Sequence, residues 1–185
     1  MLLASYSKSE DSNLNDPHGL IMLWNLNKKK QEYSIVCQTE ITSAIFHKHS
    51  PKLIIGATYT GQIMIWDTRG KSVPVQKTTP GGKYHSHPIY CLGMTGSLSS
   101  NNIISISNDG VLCTWSMANL SKNSKQIFLR AKKKKNNETI ETGSNQYMEE
   151  IGAICMATSE NEPNNIFIGT DESDIYQIYT NQNKF

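Results

Sequence analysis

One short pattern recurs along this chain and constrains it more than any other feature. It is a turn residue, four mainly apolar or β-branched residues, then an aromatic. It reads Gly19-Leu-Ile-Met-Leu-Trp24, Gly61-Gln-Ile-Met-Ile-Trp66 and Gly110-Val-Leu-Cys-Thr-Trp115 without gaps, with a weaker copy at Asp174-Ile-Tyr-Gln-Ile-Tyr179. The tryptophans follow one another at intervals of 42 and 49 residues, and Tyr179 comes 64 residues after Trp115. Self-similarity at a fixed period marks a repeat architecture, in which each unit buries its faces against its neighbours.

Each copy has companions. A second apolar run precedes it, at residues 53–58, 103–107 and 166–170, joined to it by a tight polar turn such as Asn108-Asp109-Gly110. Short β-rich runs flanking Asp-Gly are a hairpin signal. Further candidate strands lie upstream at 41–46, 89–94 and 151–157, and downstream at 33–38, 73–77 and 127–130. The expectation is four strands per repeat. A single four-stranded sheet leaves an apolar face bare, so such units stack around an axis. Units of roughly 40–45 residues with four strands and a tryptophan resemble the blades of a WD-repeat β-propeller.

That frame predicts an all-β fold of about three to four antiparallel blades, not closed into a ring. An incomplete blade is expected at 1–40, its first strand missing. Blades are expected at 41–83 and 84–131, a lysine-rich mobile insertion at 132–149, and an incomplete blade at 150–185. A ring needs about 4–8 blades, so the chain reads as part of a larger propeller. Residues 7–18, 78–84 and 119–149 look loop-like, the last holding the run Lys132 to Lys135. Such a run reads first as a solvated segment.

Composition excludes several classes. The net charge is +2 and hydrophobic residues make up 37%, which is adequate for a core and gives no global case for nucleic acid. No apolar run approaches the ~18 residues of a membrane helix, and the first residues lack a basic n-region. A soluble, intracellular protein is expected. The four cysteines form no CxxC pair, so they read as buried, reduced thiols. His47-Lys-His49 and His85-Ser-His87 lack a third ligand at metal-binding spacing. No nucleotide-binding glycine motif and no nucleophile elbow occur. No catalytic residue, cofactor or metal is expected.

The repeat at 84–131 is the best preserved. His85 and the turn Asn108-Asp109-Gly110 resemble the entry and turn of a WD repeat. That resemblance implies a buried hydrogen-bonded network of His85, Asp109, Ser107 (or Ser105) and Trp115. Trp24, Trp66 and Asp67 are the matching structural positions of earlier repeats. A serine, a histidine and an aspartate also invite comparison with a hydrolytic triad, which the repeat context disfavours. Thr60 stands where Asp109 would, so the other networks should be incomplete.

A narrower resemblance rests on Leu2-Leu-Ala-Ser-Tyr-Ser7, Asp16-Pro-His-Gly-Leu-Ile-Met-Leu-Trp-Asn25, Pro51-Lys-Leu-Ile-Ile-Gly56, Gly61-Gln-Ile-Met-Ile-Trp-Asp67 and His85-Ser-His-Pro-Ile-Tyr-Cys91. These segments are similar to the cytoplasmic dynein intermediate chain family. The resemblance covers residues 1 to about 120 well and 150 to 180 loosely, and the lysine run departs from it. It implies a non-catalytic, microtubule-associated cytoplasmic subunit whose propeller grips the dynein heavy chain, the heavy chain hydrolysing ATP. Light chains and dynactin would bind N-terminal segments not in this sequence. No direct nucleic-acid or membrane contact is implied, and the contact residues are not legible. The competing readings are another WD-repeat scaffold, such as a ubiquitin-ligase receptor or RNA-processing platform, and a propeller-shaped enzyme. The latter would gather acidic or metal-binding residues at a central channel, and no such set occurs.

Overall fold

The computed structural model describes residues 1–9, 11, 13, 15–79, 85–97, 100–132, 148–159, 162 and 164–180. Among them there are strands and turns but no helix. The expected segments at 80–84 and 133–147, including Lys133 to Lys135, lie outside the described residues.

Four antiparallel sheets follow one another along the chain, each a meander whose strand order is its sequence order. The first holds β1 (Leu2–Ser7), β2 (Gly19–Asn25) and β3 (Lys30–Cys37). The second holds β4 (Ile41–His47), β5 (Ser50–Thr58), β6 (Ile63–Asp67) and β7 (Gln76–Lys77). The third holds β8 (Ile89–Ser97), β9 (Ser100–Ser107), β10 (Val111–Ser116) and β11 (Asn119–Phe128). A two-stranded ribbon, β12 (Arg130–Lys132) with β13 (Met148–Glu150), precedes the fourth sheet of β14 (Ala153–Thr158), β15 (Asn165–Thr170) and β16 (Ile175–Tyr179). No sheet closes on itself. This is the all-β architecture of a partial β-propeller.

Apolar side chains on alternate strand positions cover each sheet with the next. Ile21, Leu23 and Ile35 of the first sheet pack against Ile41, Ile54 and Trp66 of the second. The other face of the second sheet, with Ile55, Ile63 and Ile65, packs against Ile103 and Trp115 of the third. The third sheet's Ile104, Ile106 and Leu112 meet Ile166, Ile168 and Ile178 of the fourth. Thr42 Oγ1 adds a polar stitch from the second sheet to Ile89 O of the third.

The position facing the preceding sheet is thus Trp66, Trp115 and Ile178. The strand pairs Trp66 with Ile54, Trp115 with Ile103, and Ile178 with Ile166 carry the same register. This corrects the alignment that placed Tyr179 at the tryptophan position. Ile178 is 3% exposed and Tyr179 42%. The turns show why: Gly61 (φ 77°), Gly110 (φ 74°) and Ser173 (φ 68°) occupy one left-handed position. Each donates its N–H three residues back, to Thr58, Ser107 and Thr170. Ser173, not Asp174, is therefore the turn residue of the last repeat, and everything after it shifts by one.

Three other expectations are corrected. The outer strand β11 begins at Asn119, eight residues before the strand expected at 127–130 and within the stretch expected as a loop, and is bulged where Trp115 and Ser116 pair with Asn123 and Asn119. An outer strand buries only occasional residues, here Leu120 and Ile127, so its polar remainder disguises it. The strand expected at 73–77 shrinks to Gln76–Lys77, because Pro74 has no N–H for the ladder. Cys155 is exposed, unlike Cys37, Cys91 and Cys113. It belongs to the face of the fourth sheet turned away from the third, with Phe167 and Ile175.

Candidate functional site: a buried imidazole and hydroxyl relay

The third sheet gathers the most chemistry-bearing side chains in one place. Ser105 and Ser107 sit two residues apart on β9 and so point to the same side of the strand. Both are fully buried. His85 enters from the segment before β8 and lies between them, also buried. Its Nδ1 is 2.9 Å from Ser107 Oγ and its Nε2 2.7 Å from Ser105 Oγ. Trp115 Nε1 donates to Ser105 Oγ at 2.8 Å. Ser107 Oγ donates to Asp109 Oδ1, and Asp109 Oδ2 lies 3.0 Å from His87 Nδ1.

Proton counting gives this chain one direction. The carboxylate of Asp109 only accepts, so Ser107 donates its hydroxyl proton there and must accept from His85. His85 therefore carries its proton on Nδ1, and its Nε2 accepts from Ser105 O–H. Ser105 in turn accepts from the indole of Trp115. Every buried donor and acceptor in the relay is matched, and a neutral imidazole is the only form that matches them. Burial agrees, pushing the His85 pKa down to about 4 despite the opposing pull of Asp109.

This arrangement is not that of a nucleophilic triad. There, the carboxylate orients the imidazole and the opposite nitrogen activates an accessible hydroxyl. Here both ring nitrogens face serines, the aspartate lies beyond one of them, and neither hydroxyl reaches solvent. What the relay can do chemically is fix the entry segment, the turn at 108–110 and the Trp115 ring in one geometry.

Other sheets hold less of it. In the second, Thr58 Oγ1 meets Thr60 Oγ1 at 3.0 Å and accepts from Gln62 N–H at 2.9 Å. Gly56 occupies the place of Ser105. A Cβ there would lie 2.7 Å from Cζ3 of Trp66, so the indole rests directly on the backbone. Trp66 Nε1 is buried with no hydrogen-bond partner. Trp24 is half-buried on the face of the first sheet opposite Leu23. Asp67 stands apart at the other end of its strand. Arg69, 2.6 Å away, holds its carboxyl down to about 2.

Of the residues singled out in the sequence, the fold therefore brings together His85, Ser107, Asp109 and Trp115, but not Trp24, Trp66 or Asp67. It adds His87 at the exposed end of the relay and uses both serines. The two-residue spacing of Ser105 and Ser107 was the signal for the second serine. Nothing in the spacing distinguished His87.

A shallow, open groove at the turn end is lined by His18, Gln38, Thr39, Glu40, Tyr59 and Thr60; it does not enclose a small molecule as binding clefts do. Among the described residues no group of three His, Cys, Asp or Glu side chains could hold a metal. His47 Nδ1 already accepts the N–H groups of His49 and Ser50 at 3.1 and 2.9 Å. Among the described residues no helix is long and apolar enough to cross a membrane. Burial raises the thiols of Cys37 and Cys91 to about 11 and Cys113 to about 12, far from the thiolate needed for nucleophilic work.

No family model matches the chain. Over 95% of its length it is similar to the cytoplasmic dynein 1 intermediate chain of Drosophila melanogaster, 36% identical over 179 residues. The chain spans 25% of that relative's length.

Proposed function

We propose that this chain, related as a partial chain to the cytoplasmic dynein intermediate chains, belongs to a non-catalytic dynein subunit. Its propeller docks on the heavy chain and so serves microtubule-based transport in the cytoplasm. The heavy chain supplies ATP hydrolysis; light chains and dynactin engage other parts of the subunit.

The observation that carries the reading is the 36% identity running through nearly the whole chain. The stacked sheets support it, since they make a rigid body that presents turns at two ends and outer strands at its rim. The relay supports it too: its serines are buried and its imidazole is neutral, so they act as scaffold and not as reagents.

The test is affinity purification of the tagged full-length gene product followed by quantitative mass spectrometry. The proposal expects a very large motor ATPase in near-stoichiometric yield. Recovery of abundant tagged protein without that ATPase overturns it.

A further inference from the structure

In an antiparallel meander, the hairpins joining first to second and third to fourth strands fall at one end, and the second-to-third turn at the other. The contacts between sheets keep these ends together: Lys48 N–H reaches Met94 Sδ across two hairpins at 3.4 Å. Tyr33 OH donates to Gly70 O at 3.2 Å and Ser72 Oγ to Ser34 O at 3.3 Å, and within the second sheet Thr68 N–H donates to Lys52 O at 2.9 Å. The turns at 26–29, 48–49 and 68–75 thus form one continuous surface.

That surface is basic. Its carboxylates are already engaged: Glu32 with Lys28 at 3.3 Å and Asn25 at 2.6 Å, Asp67 with Arg69, and, at the same end of the fourth sheet, Glu162 with Asn165 at 2.9 Å. Lys29, Lys30, Lys52, Lys71 and, in the third sheet, Lys122 are exposed. None makes an ion pair among the described residues. The opposite end carries Glu40, Asp109, Glu150, Asp171, Glu172 and Asp174 against Lys8, Lys77 and Arg130. The stack of sheets is therefore electrically polar along its strands. Between the lysines stand three exposed aliphatic side chains, Leu26 (60%), Val73 (65%) and Val75 (59%).

We infer that the hairpin end around Lys29, Lys30, Lys52 and Lys71 is a docking surface for an acidic amphipathic segment of a partner protein. Unpaired lysines supply attraction and speed the encounter, while Leu26, Val73 and Val75 supply apolar area that a purely ionic contact lacks. The turns carry no Phe, Tyr or Trp, the side chains on which nucleic-acid bases stack. They also lack the aromatic anchors that hold a protein at a lipid interface. This surface and its partner chemistry do not depend on the dynein reading.

The experiment uses the full-length gene product and a fluorescein-labelled synthetic helix with glutamates on one side and leucines on the other. Binding is followed by anisotropy at several ionic strengths. The expected result is saturable binding that weakens with salt. Binding should fall at least about tenfold with Lys30→Glu, Lys52→Glu and Lys71→Glu combined, a difference of about 1.4 kcal/mol. It should change less than about twofold with Lys8→Glu at the opposite end. Circular dichroism and thermal melting check folding; if the reversed protein fails them, the same three positions changed to Gln are expected to weaken binding in the same sense. Absence of binding, an equal effect of Lys8→Glu, or wild-type affinity in the Gln variant overturns the inference. Tighter binding to duplex DNA, or to phosphatidylserine vesicles, at the same ionic strength also overturns it.

Discussion

Replacing Ser105 by Ala would test the relay where it is most connected. The Ser105 hydroxyl accepts from Trp115 Nε1 at 2.8 Å and donates to His85 Nε2 over 2.7 Å. Alanine removes one oxygen from a fully buried site and leaves an indole N–H and an imidazole nitrogen without partners. Each stranded buried group costs about 1–3 kcal/mol. No water replaces the oxygen unless the packing opens. The expected loss is about 2–6 kcal/mol, measured by denaturant unfolding of the full-length protein followed through tryptophan fluorescence. Trp115→Phe removes the indole donor independently. The two changes share a partner, so the double variant should lose less than the sum, with a coupling of about 0.5–3 kcal/mol. A loss below about 0.5 kcal/mol for Ser105→Ala, or strict additivity with Trp115→Phe, would refute the relay as drawn.

Acid should destabilise the protein through His85. Its folded pKa of about 4 lies below the ordinary 6.5, so the unfolded chain binds the extra proton first. The stability contributed by the neutral ring is complete above pH 6.5 and is lost as pH falls toward 4, about 3 kcal/mol in all. Unfolding titrations across that window, compared with His85→Gln, check it; an unchanged pH slope in the variant would contradict it. Trp66→Ala should cost about 3–5 kcal/mol, because its ring lies between two sheets, and a melting curve shifted by less than about 1 kcal/mol would place it elsewhere. Gly110→Ala should destabilise by more than 1 kcal/mol, since its Cβ would meet Ile151 O at 2.6 Å in a left-handed backbone. Ser173→Gly relieves the same backbone strain, about 1 kcal/mol. It should leave stability unchanged or raise it, and a clear loss would refute the shared turn geometry.

The repeat was legible because its signal is redundant. Gly61 and Gly110 mark turns, Ile63 and Ile65 alternate with polar or intermediate positions, and a tryptophan closes each strand. Where one of these cues failed, the reading slipped. With Ser173 in place of glycine, the aromatic Tyr179 drew the alignment one residue past the apolar Ile178 that does the packing. β11 was partly hidden because an outermost strand meets solvent along most of its length, and only Leu120 and Ile127 betray it. The relay was legible as a set of residue types from its resemblance to a repeat. Its wiring was not, since proton direction depends on distances that spacing does not encode. The basic hairpin end could not be seen at all. Lys30, Lys52 and Lys71 are far apart in sequence and become neighbours only when Ser72 and Thr68 tie their turns together.

A density map of the complex purified through the tagged full-length gene product would test the whole account at once. The account predicts separate sheets stacked side by side, with Trp66, Trp115 and Ile178 each facing the sheet before it, and a motor heavy chain packed against the propeller. A continuous sheet running through β3, β4, β7 and β8, or a propeller purified with no heavy chain against it, would contradict it.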